Sequence, residues 1–431
     1  MSKEENRKNF SKYVSQNILG MIGFSCYVLA DSYFISIAKG ADGLTALNLV
    51  MPLYSIISSI GEMIGVGSAI RYAISKIKKD ADADDYFWNA LIWCILSSML
   101  FVFAGIFFSA DIMRVLGADE HIVAVGNNYT KIFMCFAPMF MCNYVTNAFV
   151  RNDGAPGIAM SATLFSSLFN IVFDYILMFP MNLGMEGAAL ATALSPIIGM
   201  GICSIHFFSK KSSVRLVVCK PSVRKLVAGC QLGVSAFVGE MSSAVITLAF
   251  NFVILKLAGN VGVAAYGVVA NIAIVTTAVF NGVAQGSQPL ISSCFGRGDK
   301  DGCTQLKRMG YTTAFVLAAV MYSILFIFAG QFVAVFNSEG SEMLRLYATE
   351  GVKLYFIGIF FAGINIVGGG AFSATEDAFK AAVVSVARGF VLILGAVFVM
   401  SALFGMTGVW LAYAVAEGIT TFIMLVMVLR V

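Results

Sequence analysis

The stretch YFWNALIWCILSSMLFVFAGIFFS, residues 86–109, decides the fold class, because it contains no charged side chain. An α-helix of about 20 apolar residues spans the hydrocarbon core of a bilayer. Apolar runs of this length recur along the chain, which is 59% hydrophobic and 12% charged, with a mean hydropathy of +0.86. The runs are continuous rather than alternating, which argues against a transmembrane β-barrel. We therefore predict an all-α integral membrane protein.

Twelve apolar segments can be separated along the sequence, each long enough to cross a bilayer. They are predicted near 13–38, 44–73, 86–109, 121–149, 157–181, 186–208, 225–257, 262–293, 309–336, 343–373, 379–403 and 405–429. The nine cysteines show no paired spacing, and the two histidines are isolated. We expect neither a disulfide framework nor a histidine-based metal site or catalytic relay.

The two halves of the sequence resemble each other. KGADGLTALNLV at 39–50 is similar to AGNVGVAAYGVV at 258–269, and LGMEGAALA at 183–191 is similar to FGMTGVWLA at 404–412. Six segments lie in each half, so the repeat is parallel, and two such bundles around a central cleft are a common transporter plan. We predict an N-lobe over 1–208, a cytoplasmic linker over 209–224 and a C-lobe over 225–431.

The distribution of lysine and arginine predicts the orientation in the membrane. Basic residues concentrate at the N-terminus, after segments 2, 4 and 8, and in the linker, whereas the opposite loops hold few. Cytoplasmic loops carry an excess of Lys and Arg. We therefore expect both termini and the linker to be cytoplasmic.

Ionisable side chains inside apolar segments are costly, so each is expected to have a partner or a function. The candidates are Asp31, Glu62, Asp174, Glu240, Arg388 and Glu417. We expect Arg388 to lie near the cytoplasmic end and snorkel towards solvent, and Glu417 to make an interhelical hydrogen bond. Glu62 either faces the central cavity, where it would attract a cationic substrate, or pairs with a basic residue such as Arg71.

Asp174 is the most informative of these acids. Asn170 lies one helical turn before it, so both side chains project from the same face. Counting residues from the outer ends of their segments places Asp31 and Thr192 at about the same depth, roughly 8–10 Å below the surface. Two carboxylates, an amide and a hydroxyl form an oxygen-rich pocket that suits Na⁺ or a proton shared between the carboxylates.

Several stretches together resemble the multidrug and toxic compound extrusion (MATE) transporters. They are ADSYFISIAKGADGLTALNLVMPL (30–53), RNDGAPGIAM (151–160), NIVFD (170–174), GMEGAALAT (184–192) and GVAQGSQPLISSCFGRGD (282–299). The resemblance implies two six-helix lobes around a V-shaped cavity, and drug efflux by cation antiport.

The resemblance also implies residue roles. An N-lobe cation site would comprise Asp31, Asn170, Asp174 and Thr192, and Glu240 matches an acid on which some relatives rely in the C-lobe. The aspartate that some relatives carry on helix 10 is missing, and Asn365 stands near that place. The chain is most similar to the bacterial drug-efflux branch that has its acids in the N-lobe.

We therefore predict a cation-coupled exporter of amphipathic, cationic compounds, not an enzyme, with Na⁺ or H⁺ as the coupling ion. We expect Asp31 and Asp174 to couple ion and drug movement, Glu62 and Glu240 to face substrate, and methionine and aromatic side chains to line the cavity. We expect a monomer in the bacterial cytoplasmic membrane, surrounded by lipid, without a cofactor or a nucleic-acid partner.

Two other readings have sequence support. A flippase for lipid-linked oligosaccharides would share the fold but carry cavity arginines suited to pyrophosphate. An intramembrane Mg²⁺-dependent prenyltransferase would need clustered aspartates, and KKDADADDYF (78–87) offers one such cluster. The acidic character of the mid-membrane charges favours cationic cargo, and the aspartate cluster is better explained as a solvated loop in which Asp84 or Asp85 caps segment 3.

Overall fold

A computed structural model describes residues 3–336 and 341–429, and every secondary-structure element in these ranges is a helix. We number twelve membrane-crossing helices in chain order. They are α1 Lys3–Gly40, α2 Asp42–Lys78, α3 Asp85–Val115, α4 120–152, α5 Pro156–Met178, α6 Gly184–Phe207, α7 223–258, α8 260–296, α9 Lys300–Ile327, α10 Glu342–Ala374, α11 378–404 and α12 406–429.

The count of twelve follows from the breaks in the longest helices. Nine helices of the described residues are long and apolar enough to cross a membrane, and the bent pair Glu120–Cys135 and Ala137–Asn152 makes a tenth span. The helices Val223–Gly296 and 378–429 each divide at a non-helical glycine. The predicted all-α fold with twelve membrane-crossing helices is therefore confirmed.

Glycines at equivalent positions of the sequence repeat form the sharp turns between some helices. Gly40, between α1 and α2, has φ 59° and ψ −143°, and Gly259, between α7 and α8, has φ 61° and ψ −157°. Only a residue without a Cβ atom adopts this backbone conformation readily. Gly184 and Gly405, the second aligned pair, also have positive φ. The two lobes thus repeat their turns as well as their helices.

The observed helices differ from the predicted segments most clearly in segments 1, 4 and 9. Segment 1 was predicted to begin near 13, but α1 begins at Lys3. Segment 9 was predicted to end near 336, but α9 ends at Ile327 and a separate short helix, Ala329–Phe336, follows. The start of α9 is also earlier than predicted, because the Asp299 side chain caps it by accepting from the backbone N–H of Gly302 at 2.8 Å. Segment 4 is bent by 46°, with Pro138 near the start of its second part.

Each lobe has its own apolar core, and the first helix of each lobe reaches into the other. The C-lobe core includes Phe10 and Val14 from α1, and the N-lobe core includes Leu232 from α7. Large apolar side chains such as Leu100 and Phe422 are exposed on the outside of the bundle. In a membrane-spanning protein these side chains face lipid, where their exposure is favourable.

The lobes meet at the end of the bundle where α1 begins and α12 ends. A Cβ atom on Gly67 of α2 would strike the backbone of Gly229 on α7, and one on Gly286 of α8 would lie 2.7 Å from Val14 Cα on α1. Gly67 and Gly286 are equivalent in the repeat, so two crossings of the same kind join the lobes.

Charged residues form further contacts between the lobes at the same end of the bundle. Arg71 on α2 pairs with Glu376, in the turn between α10 and α11, and Lys78 lies 3.6 Å from the same carboxylate. The Arg71 Nε atom also donates to the carbonyl of Ala228 at 3.2 Å. The alternative pairing of Arg71 with Glu62 is therefore wrong, because Arg71 points towards the C-lobe surface.

The segment between α6 and α7 is fixed to the N-lobe. The buried Asp153 carboxylate accepts hydrogen bonds from His206 Nε2 at 2.8 Å, Ser212 Oγ at 3.1 Å and the Ser213 N–H at 2.8 Å. These contacts attach the chain leaving α6 to the turn after α4.

The aspartate cluster before α3 also forms structural contacts. Asp84 lies at the N-cap position of α3, but its side chain accepts from Lys76 at 2.7 Å rather than from the helix N-terminus. Asp85 pairs with Lys225 at the start of α7. The expectation that one of these aspartates caps the helix is therefore wrong, and lysines instead pair with Asp82, Asp84 and Asp85.

Candidate functional site

The N-lobe acids lie on two neighbouring helices. Asp31 is in the C-terminal half of α1 and is 4% exposed, and Asp174 of α5 is fully buried. Asn170 precedes Asp174 by one turn of the same helix, and Thr192 belongs to α6, which packs beside α5. Each of the four side chains lies on a continuous helix, so its depth in the bundle follows from its position along that helix.

Hydrogen bonds join three of these four residues. In the amide orientation that satisfies both of its ends, Asn170 donates from Nδ2 to Asp174 Oδ2 at 3.1 Å and accepts from Thr192 Oγ1 at 3.2 Å. The Asn170 oxygen also lies 3.3 Å from the Thr192 N–H. Asn170 is thereby locked between α5 and α6. Asp31 completes the group through its electrostatic interaction with Asp174.

The two carboxylates retain unused hydrogen-bonding capacity. Within the described residues, no hydrogen-bond partner reaches Oδ1 of Asp31 or Oδ1 of Asp174, although both atoms are buried. Buried carboxylate oxygens are normally paired, because an unpaired one loses its hydration without compensation. These two atoms could hold a small hard cation such as Na⁺, or share a proton. The part of the chain that the structure describes contains no cluster of three or more His, Cys, Asp or Glu side chains of the kind that holds a transition metal.

Tyrosine hydroxyls surround this acid pair, and sequence reasoning missed them. Tyr129 of α4 lies near Thr192 and interacts electrostatically with both Asp31 and Asp174. Tyr27 lies one turn before Asp31 on α1, a spacing that could have identified it. No local signal in the sequence distinguishes Tyr129 from the other tyrosines.

A row of tyrosines continues from the acid pair towards the lobe interface. The Tyr27 and Tyr54 hydroxyl oxygens are 3.4 Å apart, and those of Tyr54 and Tyr144 are also 3.4 Å apart. All three tyrosines line the central cavity. The row thus places polar hydroxyls along one wall between the N-lobe acids and the cavity.

The central cavity lies between the lobes and is more polar than predicted. Aromatic side chains contribute to its wall, as expected, but amides and hydroxyls outnumber methionines there. Its amide side chains are Asn17, Asn143, Asn147, Asn281, Gln285, Gln288 and Asn365, whereas the methionines are Met21 and Met160. The expected methionine and aromatic side chains thus contribute to the lining, but they do not dominate it. The wall therefore offers hydrogen-bonding groups as well as aromatic side chains.

Two acids and two arginines line this cavity. Glu62 from α2 and Glu240 from α7 belong to opposite lobes, and their charges interact. Arg151 of α4 donates to Gln285 Oε1 at 2.5 Å, which is a further contact between the lobes, and its charge acts on Glu62. Both predicted substrate-facing acids thus line the space between the lobes.

The second arginine, Arg388, belongs to a buried network in the C-lobe. Its Nη2 atom lies 2.6 Å from Glu417 Oε1, and its Nε atom lies 3.1 and 3.2 Å from the two carboxylate oxygens. Asn365 Nδ2 donates to Glu417 Oε2 at 2.7 Å. The expectation that Arg388 snorkels is wrong, because its charge is paired inside the lobe, and the interhelical bonding expected of Glu417 includes an ion pair.

Comparison with known proteins identifies relatives along almost the whole chain. The sequence matches the MatE family over residues 17–176 and 236–399. It is 27% identical over 414 residues to the multidrug export protein MepA of Staphylococcus aureus, covering 93% of this chain and 89% of MepA. The MepA protein of Staphylococcus saprophyticus is 26% identical over 409 residues, with the same two coverages.

Solved structures show the same fold. A multidrug resistance MATE family transporter in an outward-facing conformation superposes with a TM-score of 0.92 at 20% identity, over 99% of this chain and 96% of that one. A transporter of the MOP superfamily from Pyrococcus furiosus superposes with a TM-score of 0.90 at 20% identity, over 98% and 95% of the two chains. Both likenesses support the twelve-helix, two-lobe architecture.

Proposed function

Because the chain belongs to the MATE family of multidrug efflux transporters, we propose that it exports amphipathic cations in exchange for an inward-moving Na⁺ or H⁺. The observation that carries the proposal is the pair of buried carboxylate oxygens, on Asp31 and Asp174, that lack hydrogen-bond partners among the described residues. A bound cation or a shared proton would satisfy these atoms. Asn170 and Thr192 would supply neutral oxygens to the same site.

Competition between ion and substrate would drive export. A coupling ion that enters from outside neutralises the N-lobe acids and weakens their attraction for a cationic substrate, which then leaves outwards. Release of the ion to the cytoplasm restores the negative charge and favours rebinding of substrate from that side. The ion acts only through its differential affinity for the two states, as any such coupling requires.

The lining of the central cavity supports a cationic substrate. Glu62 and Glu240 approach it from opposite lobes, and Tyr54 and Tyr144 offer aromatic faces beside them. An aromatic face attracts a cation through its quadrupole, by about 0.5–2 kcal/mol depending on hydration. The Arg388 charge is paired by Glu417, whereas Arg151 donates to the neutral Gln285 and interacts electrostatically with Glu62. The cavity acids thus offset its arginines, which does not favour a flippase whose arginines bind pyrophosphate.

The remaining parts of the proposal concern placement in the cell. We place the protein in the bacterial cytoplasmic membrane as a monomer, with both termini and residues 209–224 cytoplasmic. The concentration of Lys and Arg on that side supports this orientation. The lobes meet at the same end, so the conformation described here would be open towards the outside.

Efflux from proteoliposomes tests the proposal. A fluorescent organic cation such as ethidium is loaded, and a Na⁺ gradient or a pH gradient is imposed separately with the other ion equal on both sides. We expect one gradient to drive ethidium movement and its collapse by an ionophore to stop it. Equal ethidium movement with both gradients absent would exclude coupled antiport.

A further inference from the structure

We propose that Arg388 acts as a tethered cation for Glu417 and thereby confines ion exchange to the N-lobe carboxylates, an inference that rests on the proposed ion-coupled export. The C-lobe contains a buried carboxylate, an asparagine amide and a threonine hydroxyl, namely Glu417, Asn365 and Thr421. The N-lobe site has the same three kinds of group in Asp174, Asn170 and Thr192. The two sets of residues differ in the fourth, charged side chain that lies beside each of them.

The difference is one of charge. In the N-lobe the additional group is a second carboxylate, Asp31, so the set has two negative charges when both acids are ionised. In the C-lobe the additional group is the Arg388 guanidinium, so the set is neutral when Glu417 is ionised. A buried charge needs a compensating partner. The N-lobe set can obtain one only from a mobile ion or proton, whereas the C-lobe set contains its own.

The hydrogen bonds agree with this charge balance. Both Glu417 carboxylate oxygens accept from Arg388, and Oε2 also accepts from Asn365 at 2.7 Å. The other end of the Asn365 amide accepts from Thr421 Oγ1 at 3.0 Å. The N-lobe carboxylates, in contrast, each retain one buried oxygen that no group in the described ranges satisfies. Both Glu417 oxygens therefore already have donors among the described residues, unlike the N-lobe carboxylates.

The local backbone directs Arg388 to this position. Residues Ala387–Val391 form a π-helical turn within α11. A π turn inserts an extra residue into the helix and changes the direction of the side chains that follow. At Gly389 a Cβ atom would lie 2.6 Å from Ser242 Cβ, so α11 approaches α7 closely here. The Arg388 side chain is thereby held between the central cavity and Glu417.

The C-lobe set of Glu417, Asn365 and Thr421 lies next to the central cavity, through which ions could reach it. Arg388 and Asn365 both line the central cavity, and the Arg388 side chain is 16% exposed while Glu417 is 3% exposed. Removal of the guanidinium would leave the Glu417 carboxylate beside the central cavity without a compensating charge. Among the described residues, Tyr355 and Tyr413 also interact electrostatically with Glu417. Their neutral hydroxyls cannot balance its charge, so a mobile ion or proton would have to do so.

The test is a gain of ion dependence on removal of Arg388. Purified protein in detergent is unfolded by heat across a NaCl series, with choline replacing Na⁺ at constant ionic strength, and separately across a pH series. Arg388→Ala is compared with its parent in an Asp174→Asn background, which removes the response of the N-lobe site. We expect saturating Na⁺ or acidic pH to raise the apparent melting temperature of the Arg388→Ala protein by about 3 °C more than that of its parent.

Two further variants separate the tethered cation from a purely structural role. Adding Glu417→Gln to Arg388→Ala should abolish the gain, because no carboxylate remains to be neutralised. Arg388→Lys keeps a tethered cation and should show no gain. If Arg388→Ala does not fold, Arg388→Met, which keeps the apolar length of the side chain, is used in its place.

The outcomes are distinguishable. An Arg388→Ala protein with the same Na⁺ and pH response as its parent would overturn the inference, and so would a response that persists after Glu417→Gln. A full ion response in Asp174→Asn alone would contradict the proposed N-lobe coupling site. The difference between Arg388→Ala and its parent would still report on Arg388 in that case.

Discussion

Replacement of Gly286 by alanine should separate the lobes at the end where they now meet. A Cβ atom at this position would lie 2.7 Å from Val14 Cα and 2.9 Å from the Tyr13 carbonyl oxygen. Both neighbours are backbone atoms, so no side-chain rotation relieves the overlap, and α8 must move away from α1. Overpacking of this kind costs about 1–3 kcal/mol.

That cost applies only to conformations in which α8 and α1 touch. A conformation with the lobes apart at this end lacks the contact, so the ratio of the two populations should shift by about 5–150-fold towards it. In the proposed orientation this favours the inward-open state. Gly267→Ala is the matched control, because it lies on the same helix and its Cβ atom would meet no neighbour within 4 Å.

Cysteine labelling measures the shift. A single cysteine is placed at Thr277, which lines the central cavity on α8, in a background without the nine native cysteines. An impermeant maleimide is applied to inside-out vesicles, so that only a cavity open to the cytoplasmic side is labelled quickly. We expect faster labelling with Gly286→Ala than with Gly267→Ala. Equal labelling rates in the two variants would refute the reasoning that the glycine contact holds this end closed.

Three further predictions concern substrate, orientation and the ion site. Glu240→Gln should weaken transport of some cations and leave ion-coupled turnover measurable in proteoliposomes; complete loss of coupling would move the ion site to the C-lobe. A cysteine at Ser213 should react with an impermeant reagent in inside-out vesicles and not in intact cells; labelling in intact cells would reverse the topology. Tyr129→Phe removes a hydroxyl beside the acid pair, and a polar contact of this kind contributes about 0.5–1.5 kcal/mol, so efflux should need about 2–10-fold more coupling ion, whereas Tyr175→Phe, at an exposed tyrosine, should not change it.

The parts of the fold that depend on local sequence could be predicted. Continuous apolar runs identified the membrane helices, and the repeat paired Gly40 with Gly259, which adopt nearly the same backbone conformation. The proximity of Asn170, Asp174 and Thr192 also follows from helix geometry, because depth in the membrane can be counted along each helix. Their role in coupling stays a proposal.

Contacts between distant segments could not be predicted in this way. The pairing of Arg388 with Glu417 occurs where α11 contains a π turn, which has no clear sequence pattern. Likewise, Arg71 had an acid, Glu62, in its own helix, but it pairs with Glu376 of the other lobe. Such choices are set by how the lobes pack, and a count of residues along one helix does not contain that information.

The boundaries of helices were predicted less well where capping decided them. The helix α9 begins at Lys300 because Asp299 caps it, well before the apolar segment that the hydropathy pattern detected. Polar helix ends extend beyond the apolar core of a membrane helix, and a hydropathy pattern does not register them. The separate helix Ala329–Phe336 was joined to α9 for the opposite reason, because its residues are apolar.

Gradient-driven efflux by Asp174→Asn protein tests the central claim most directly. The substitution removes the charge but keeps the shape of the side chain, so the protein should fold, enter the membrane and retain ethidium binding. We expect it to lose efflux driven by the imposed ion gradient, as should Asp31→Asn, and the double variant should be no worse than either single one because the two acids act as one site. Near wild-type efflux by Asp174→Asn would mean that the carboxylate is a structural hydrogen-bonding group and that the proposed coupling mechanism is wrong.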